Sequence, residues 1–211
     1  MLNKFFNHHL FIPGKIFFLL IALTSLSLKG NCQTKTNLEV FYSLTDSLVD
    51  QIVQQIPPKE NQILLKLNLG ESYSLFYNNI ITRFQKNGKE ILNYIPQELH
   101  IPHVDIVIEG AGVEYGEMFK DGWFGSHYIQ RYTTIFGNYL QSFSKEGKKE
   151  FEITKIDTVK VEDIKYLEND SFPFTKSTIP PEPFISGVAE PLIAIGTAAV
   201  VVALFFIIRS K

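Results

Sequence analysis

Val104-Asp105-Ile106-Val107-Ile108-Glu109-Gly110-Ala111-Gly112-Val113-Glu114-Tyr115 is the stretch on which the fold turns. Val104, Ile106 and Ile108 recur at every second position, the period of a strand with one face toward a core. The segment is expected to be a central strand. Gly110, Gly112 and Gly116 then predict a bend or bulge, because a residue without a side chain lets the backbone leave the regular pleat. A glycine series behind a strand is also the form of a dinucleotide-binding turn, which needs a helix next. Gly116, Gly122 and Gly125 interrupt any such helix.

On the N-terminal side, Phe41, Leu44, Leu48, Ile52 and Ile56 recur at spacings of three and four. They predict an amphipathic helix over Leu38 to Ile56 that Pro57 and Pro58 stop. Ile63 to Leu69 reads as a buried strand, Gly70 and Ser72 as a turn, and Phe76, Tyr77, Ile80, Ile81 and Phe84 as a second helix. Ser72 or Ser74 is available to cap that helix, and Asn87-Gly88 to end it. Ile91 to Ile95 reads as a short strand, and Pro96 to Pro102 as an interruption. On the C-terminal side, Ile129 to Phe143 and Phe151 to Val161 flank the charged tip Ser144 to Lys149, where Gly147 suits a hairpin turn. Val161 to Leu167 is expected to make one or two helical turns. Pro173, Pro180, Pro181 and Pro183 predict an extended stalk.

The two longest apolar runs lie at opposite ends. Ile16 to Leu28, behind Lys4 and Lys15, has the length of a secretory signal core and is short for a bilayer span. Cleavage after Cys32, lipidation of Cys32 and retention as an uncleaved anchor are all open readings, of which cleavage fits the small residues Gly30 and Cys32 best. Leu192 to Ile208 is uncharged, is followed by Arg209, Ser210 and Lys211, and has the length of a transmembrane helix. The expected organisation is a signal peptide over 1–32, an exported domain over 33–172, a stalk over 173–191, a span over 192–208 and a cytoplasmic tail over 209–211. The basic residues place both outer ends in the cytoplasm and the domain outside it. A formal charge of −2 over 211 residues gives no electrostatic case for nucleic acid as a partner. One cysteine permits no internal disulfide, so a hydrophobic core has to hold the domain.

No nucleophile elbow, HExxH or phosphate loop occurs. His100, His103 and Asp105 are metal-ligand types without a second ligand pair at zinc spacing. Asp105, Glu109, Glu114, Glu117 and Asp121 could supply a carboxylate pair for glycoside cleavage, but charges alternating along a strand are more simply a solvated face. No catalytic residue, metal site or cofactor is assigned. The segment Met118 to Tyr128 (MFKDGWFGSHY) is more unusual. It carries the chain's single tryptophan, Trp123, beside Phe124 and between Gly122 and Gly125, which predicts aromatics on a loop at one end of the sheet. Phe119, Trp123, Phe124 and Tyr128 are the candidate partner-binding residues.

The order of helix, Pro57-Pro58, strand at Ile63, helix at Phe76, strand Val104 to Gly110 and hairpin around Lys145-Glu146-Gly147-Lys148 resembles an envelope domain shared by three bacterial groups. These are curli-export lipoproteins, flagellar-assembly outer-membrane lipoproteins and lipoprotein activators of penicillin-binding proteins. The resemblance covers about Leu38 to Val161 and implies a mixed α/β sandwich with an assembly or regulatory role and no catalysis. It carries over no functional residue. The chain departs from those groups in its C-terminal apolar run and in lacking a second helix between Ile91 and Val104.

The expected fold is α/β (α+β), a two-layer sandwich. It has a mixed sheet with an antiparallel hairpin, two or three packing helices and one C-terminal transmembrane helix. The expected function is that of a non-enzymatic single-pass envelope protein whose exported domain binds an envelope protein partner or a second copy of itself. The Trp123 loop and an exposed strand edge are its contact surfaces. A small-ligand or cell-wall glycan binder is the alternative reading, and an envelope hydrolase using the strand carboxylates is a further one.

Overall fold

The computed structural model of the chain describes residues 33–92, 101–122, 125–143, 147–182 and 184–209. Residues 1–32, 93–100, 123, 124, 144–146, 183, 210 and 211 lie outside the described residues, and with them the signal-like segment, the end of the expected Ile91 to Ile95 strand and most of the interruption after it.

The first helix, α1, spans Asn37–Gln55. Thr36 opens it with a capping box, accepting from the Glu39 N–H while the Glu39 carboxylate accepts from the Thr36 N–H at 2.7 Å. These bonds hold the Glu39 carboxyl below its ordinary range. Val40, Phe41, Leu44, Leu48 and Ile52 bury the predicted stripe. At the far end Ile56 turns extended (ψ 130°), as a residue before proline must.

Strand β1 (Gln62–Asn68) follows, then a single 3₁₀ turn at Ser74–Phe76 and helix α2 (Tyr77–Lys86). The expected serine cap is absent. Phe76 precedes α2 without a side-chain cap bond, and the Ser74 hydroxyl donates instead to the Glu71 carbonyl at 2.9 Å. The 3₁₀ turn leads directly into the helix, so no cap position is left for a serine. Gly88 ends the helix at φ 75°, as the Asn-Gly pair predicts. Arg83 ties α2 to α1 through the Asp50 carboxylate, with Nε donating to Oδ1 at 2.8 Å. That bond holds the Asp50 carboxyl below its ordinary range.

Strands β2 (Glu90–Leu92), β3 (His103–Lys120), β4 (His127–Gln141) and β5 (Lys148–Lys160) complete a five-stranded sheet in the order β2-β1-β3-β4-β5. β1 pairs in parallel with both β2 and β3, while β3, β4 and β5 form an antiparallel meander. The mixed sheet, the central strand and the hairpin are thus as the sequence predicts, with Gly147 at φ 68° in the second turn.

The glycine-rich part of β3 breaks register twice, between Ile108 and Gly110 and between Tyr115 and Met118. Each irregularity resets the two-residue phase. Val104, Ile106 and Ile108 face the core before the first bulge, Val113 and Tyr115 after it, and Met118 after the second. The helices and one face of the sheet share a single apolar core that includes Phe41, Ile52, Phe76, Phe84, Ile106 and Ile135.

A buried polar junction sits beside that core. Arg131 of β4 is fully buried and forks onto Asp157 of β5, with Nε to Oδ1 at 2.8 Å and Nη2 to Oδ2 at 2.5 Å. Its Nη1 donates to the Lys35 carbonyl at 2.9 Å and to Asn37 Oδ1 at 2.6 Å. Asn37 Nδ2 donates in turn to the Thr175 carbonyl at 2.7 Å and to the Tyr115 hydroxyl at 3.2 Å. The Tyr115 hydroxyl donates to Glu168 Oε1 at 3.2 Å, which also accepts the Ser177 N–H. Burial pushes the Tyr115 phenol up to about 12. This junction fastens the start of the domain and its last segment at one end of the sheet.

After β5 a 3₁₀ turn and the short helix α3 (Ile164–Leu167) bury Ile164 and Leu167, matching the expected one or two turns. The segment expected to be an extended stalk is not extended at its start. Pro173 begins a 3₁₀ turn through Thr175, Thr175 is fully buried, and Phe174 packs against Phe41, Tyr73 and Phe76. An aromatic between core rings outweighs the extended preference of one proline. Helix α4 begins at Phe184, inside the segment expected to be extended, and runs to Arg209. Within α4, Pro191–Ile208 is long and apolar enough to cross a membrane.

Candidate functional site

Among the described residues, the helices of the domain cover one face of the sheet and leave the other face open. β4 runs along its middle, presenting Tyr128, Gln130, Tyr132, Thr134, Phe136, Asn138 and Leu140 outward. Opposite them on β3 stand Phe119, Glu114, Gly112, Gly110, Val107 and Asp105, and on β5 Lys160, Thr158, Ile156, Thr154, Glu152, Glu150 and Lys148. Large apolar groups reach solvent here. Ile156 is 58% exposed, Phe119 46%, Phe136 45% and Leu140 38%.

The glycines of β3 shape this surface. A Cβ at Gly110 would come within 2.2 Å of the Phe136 ring, and one at Gly116 within 3.0 Å of Tyr132, so both rings lie across bare backbone. At Gly112, between them, a Cβ would meet nothing within 4 Å. The face is thus a low floor at Gly112 flanked by two aromatic rings, with the Thr134–Thr154 hydroxyl pair (2.9 Å) across from it. Polar contacts rim it. Asn138 Nδ2 donates to Glu109 Oε1 at 2.5 Å, and Lys148 lies 3.9 Å from the same oxygen.

Two of the four predicted contact residues belong to this face. Phe119 and Tyr128 are strand residues rather than loop residues, paired across β3 and β4 with ring centroids 6.0 Å apart. The predicted Met118-to-Tyr128 loop shrinks accordingly, because the alternating apolar and polar residues at both its ends continue the ladder. Trp123 and Phe124, the other two, lie outside the described residues. Tyr132, Phe136, Leu140 and Ile156 were not anticipated. The signal for the first three is in the sequence of β4, which carries apolar residues at both parities where a strand with one solvated face should carry them at one, and Ile156 breaks the parity of Phe151, Ile153 and Val159 on β5 in the same way.

The sheet has two edge strands, β2 and β5. Among the described residues β5 has no strand on its outer side, and it carries Lys148, Lys149, Glu150, Glu152, Lys155 and Lys160, the charged decoration that discourages strand addition. Of the possible metal ligands, His103 and Asp105 lie 3.7 Å apart near the start of β3, and His100 is outside the described residues. No group of three or more His, Cys, Asp or Glu placed to hold a metal occurs among the described residues. Successive members of the set Asp105, Glu109, Glu114, Glu117 and Asp121 are separated by about 10 to 17 Å of strand rise, wider than most of the range glycoside cleavage uses.

No family model matches the chain, and no curated protein matches it. Among solved structures, rare lipoprotein B from Shewanella oneidensis is similar at 12% identity and TM-score 0.30, covering 47% of this chain and 69% of that one. A minor lipoprotein from Acinetobacter baumannii is similar at 10% identity and TM-score 0.31, covering 50% and 70%. A neuraminyllactose-binding hemagglutinin homolog from Helicobacter pylori is similar at 12% identity and TM-score 0.29, covering 51% and 70%. Two of these are lipoproteins by name. Likeness this slight brings no activity or partner to this chain.

Proposed function

We propose that this chain is a non-enzymatic envelope protein, held to the membrane by α4, whose exported domain binds a protein partner through the open face of its sheet. The observation that carries the reading is the apolar stripe Tyr132, Phe136, Leu140 and Ile156 left uncovered on β4 and β5. Large patches of this kind on a folded domain mark interaction sites, because folding itself gains nothing from leaving them in water. Three strands of about thirteen residues present on the order of 600 Å², close to the roughly 800 Å² that one partner contributes to a standard interface. Asp105, Glu109, Glu114, Glu150 and Glu152 outnumber the lysines around the stripe, which favours a partner with a basic rim.

The test places a photoreactive residue at Phe136 or at Ile156 in the full chain in its own membrane. A control residue is placed at Gln51, exposed on the helical side. The reading expects one protein captured from both face positions and not from Gln51. Adducts equal at all three positions would refute it.

A further inference from the structure

α1 shows how a helix covers this sheet. Its nineteen residues turn Val40, Phe41, Leu44, Leu48 and Ile52 into the core at spacings of three and four. The opposite face offers a seat of similar length. Tyr132, Phe136 and Leu140 point outward at every fourth residue of β4, so the stripe they form runs about 26 Å at roughly 3.3 Å per residue. At about 1.5 Å rise per residue a helix needs about seventeen residues to follow it. Because the Phe136 and Tyr132 rings lie across the backbone of Gly110 and Gly116, the stripe stays low enough for a second layer to come close.

The occupant of such a face has to satisfy its own backbone. The hydrogen bonds of β4 are spent on β3 and β5, so an extended segment laid over them would find side chains and no backbone partner, whereas a helix bonds internally. The width also fits. Acids stand on both sides of the stripe, Glu109 and Glu114 on β3 and Glu150 and Glu152 on β5, with about 10 Å between those two strands, the diameter of one helix. The outward lysines of β5, Lys148 and Lys160, stand at the two ends, and Lys66 lies one strand beyond β3 beside Asp105. A second copy of this face would bring more carboxylates to the same stripe. A helix with Lys or Arg beside its apolar residues meets acids on both flanks.

We propose that the open face receives an amphipathic helix of a second protein, about seventeen residues long, with its apolar stripe along β4 and Lys or Arg on both flanks. The inference rests on the protein-binding reading of the open face above and names the element that binds there. Docked in this way the helix completes a third layer, and the sheet is then covered by helices on both faces. The buried stripe supplies most of the affinity, and the charged flanks set the orientation and speed the encounter.

The experiment places a photoreactive residue at Tyr132 in one sample and at Leu140 in another, in the full chain in its own membrane. The adducts are digested, and the attachment sites on the captured protein are sequenced by mass spectrometry. Both sites should fall in one segment, about seventeen residues apart, with Lys or Arg beside its apolar residues; an extended segment would place them about eight apart. In the Glu114→Lys, Glu152→Lys double variant, with unchanged circular dichroism, capture from a photoreactive residue at Phe136 should fall at least about tenfold. Sites about eight residues apart, sites in separate segments or sites on a second copy of the chain overturn the inference, as does equal capture in the double variant. Each of these outcomes leaves the open face as a binding surface. Capture of no protein from any face position refutes the open-face reading itself, and the docked helix with it.

Discussion

On the helix side of β4, Ile129, Arg131, Thr133, Ile135 and Tyr139 are buried, whereas Tyr132, Phe136 and Leu140 between them look out from the same strand into solvent. On the covered side each residue is fixed by its neighbours. Even the charged Arg131 is tolerated only because Asp157, Asn37 and the Lys35 carbonyl occupy its donors. On the open side the Phe136 and Tyr132 rings lie across glycine backbone. The comparison teaches that the large apolar residues of the open face are not packed in the core, which is the ground of the recognition role we propose.

Arg131→Ala should break the covered side most severely. It leaves the Asp157 carboxylate unpaired beside a cavity and should cost about 3 to 5 kcal/mol, read from denaturant midpoints of the full chain in detergent.

Two glycines on adjacent strands sharpen the contrast. A Cβ at Gly137, on the covered side, would approach the Val107 carbonyl oxygen to 2.1 Å, a backbone atom with little room to move. Gly137→Ala is expected to cost about 1 to 3 kcal/mol or more. Gly112→Ala, on the open side, should be neutral or stabilising by a few tenths of a kcal/mol, since glycine is itself unfavourable in a strand.

Tyr115→Phe should cost about 1 kcal/mol at neutral pH through the lost hydroxyl bonds. It should also remove an alkaline limb from the stability profile. The phenol is raised to about 12 in the folded state from an unfolded value near 10, so its contribution is complete below about pH 10 and is lost as pH rises toward about 12. A wild-type profile flat over that window would contradict the buried Tyr115 environment.

The smallest effect on stability belongs to the open face. Ile156→Ser should change stability by less than about 0.5 kcal/mol while reducing partner capture from the face. A large loss of stability would instead mean that the open face is part of the core.

Much of the fold was legible in the sequence because its signals are local. The three-and-four spacing from Phe41 to Ile52, the Pro57-Pro58 stop, Asn87-Gly88 and the alternation at Val104 each act within a few residues. The candidate site was half legible. Phe119 and Tyr128 stood out by composition, but their places on the last rungs of a ladder depend on which residues face them across the hairpin. Phe136 and Ile156 were missed because an apolar residue in a strand reads as core until the covering layer is known. Phe174 was missed for the reverse reason, since the core rings that hold it come from Phe41, Tyr73 and Phe76, far away in the chain.

By itself the sequence determined the first two helices, the central place of the Val104 strand, the hairpin after it, the glycine-rich bulging and an apolar C-terminal helix of spanning length. All of these follow from the periodicity and backbone preference of neighbouring residues. Only the tertiary structure decided which face of β3 each residue past Glu109 joins, which side of β4 is covered and where Arg131 finds its partners. A bulge inverts the two-residue phase, and a buried charge is satisfied by groups that only folding brings together.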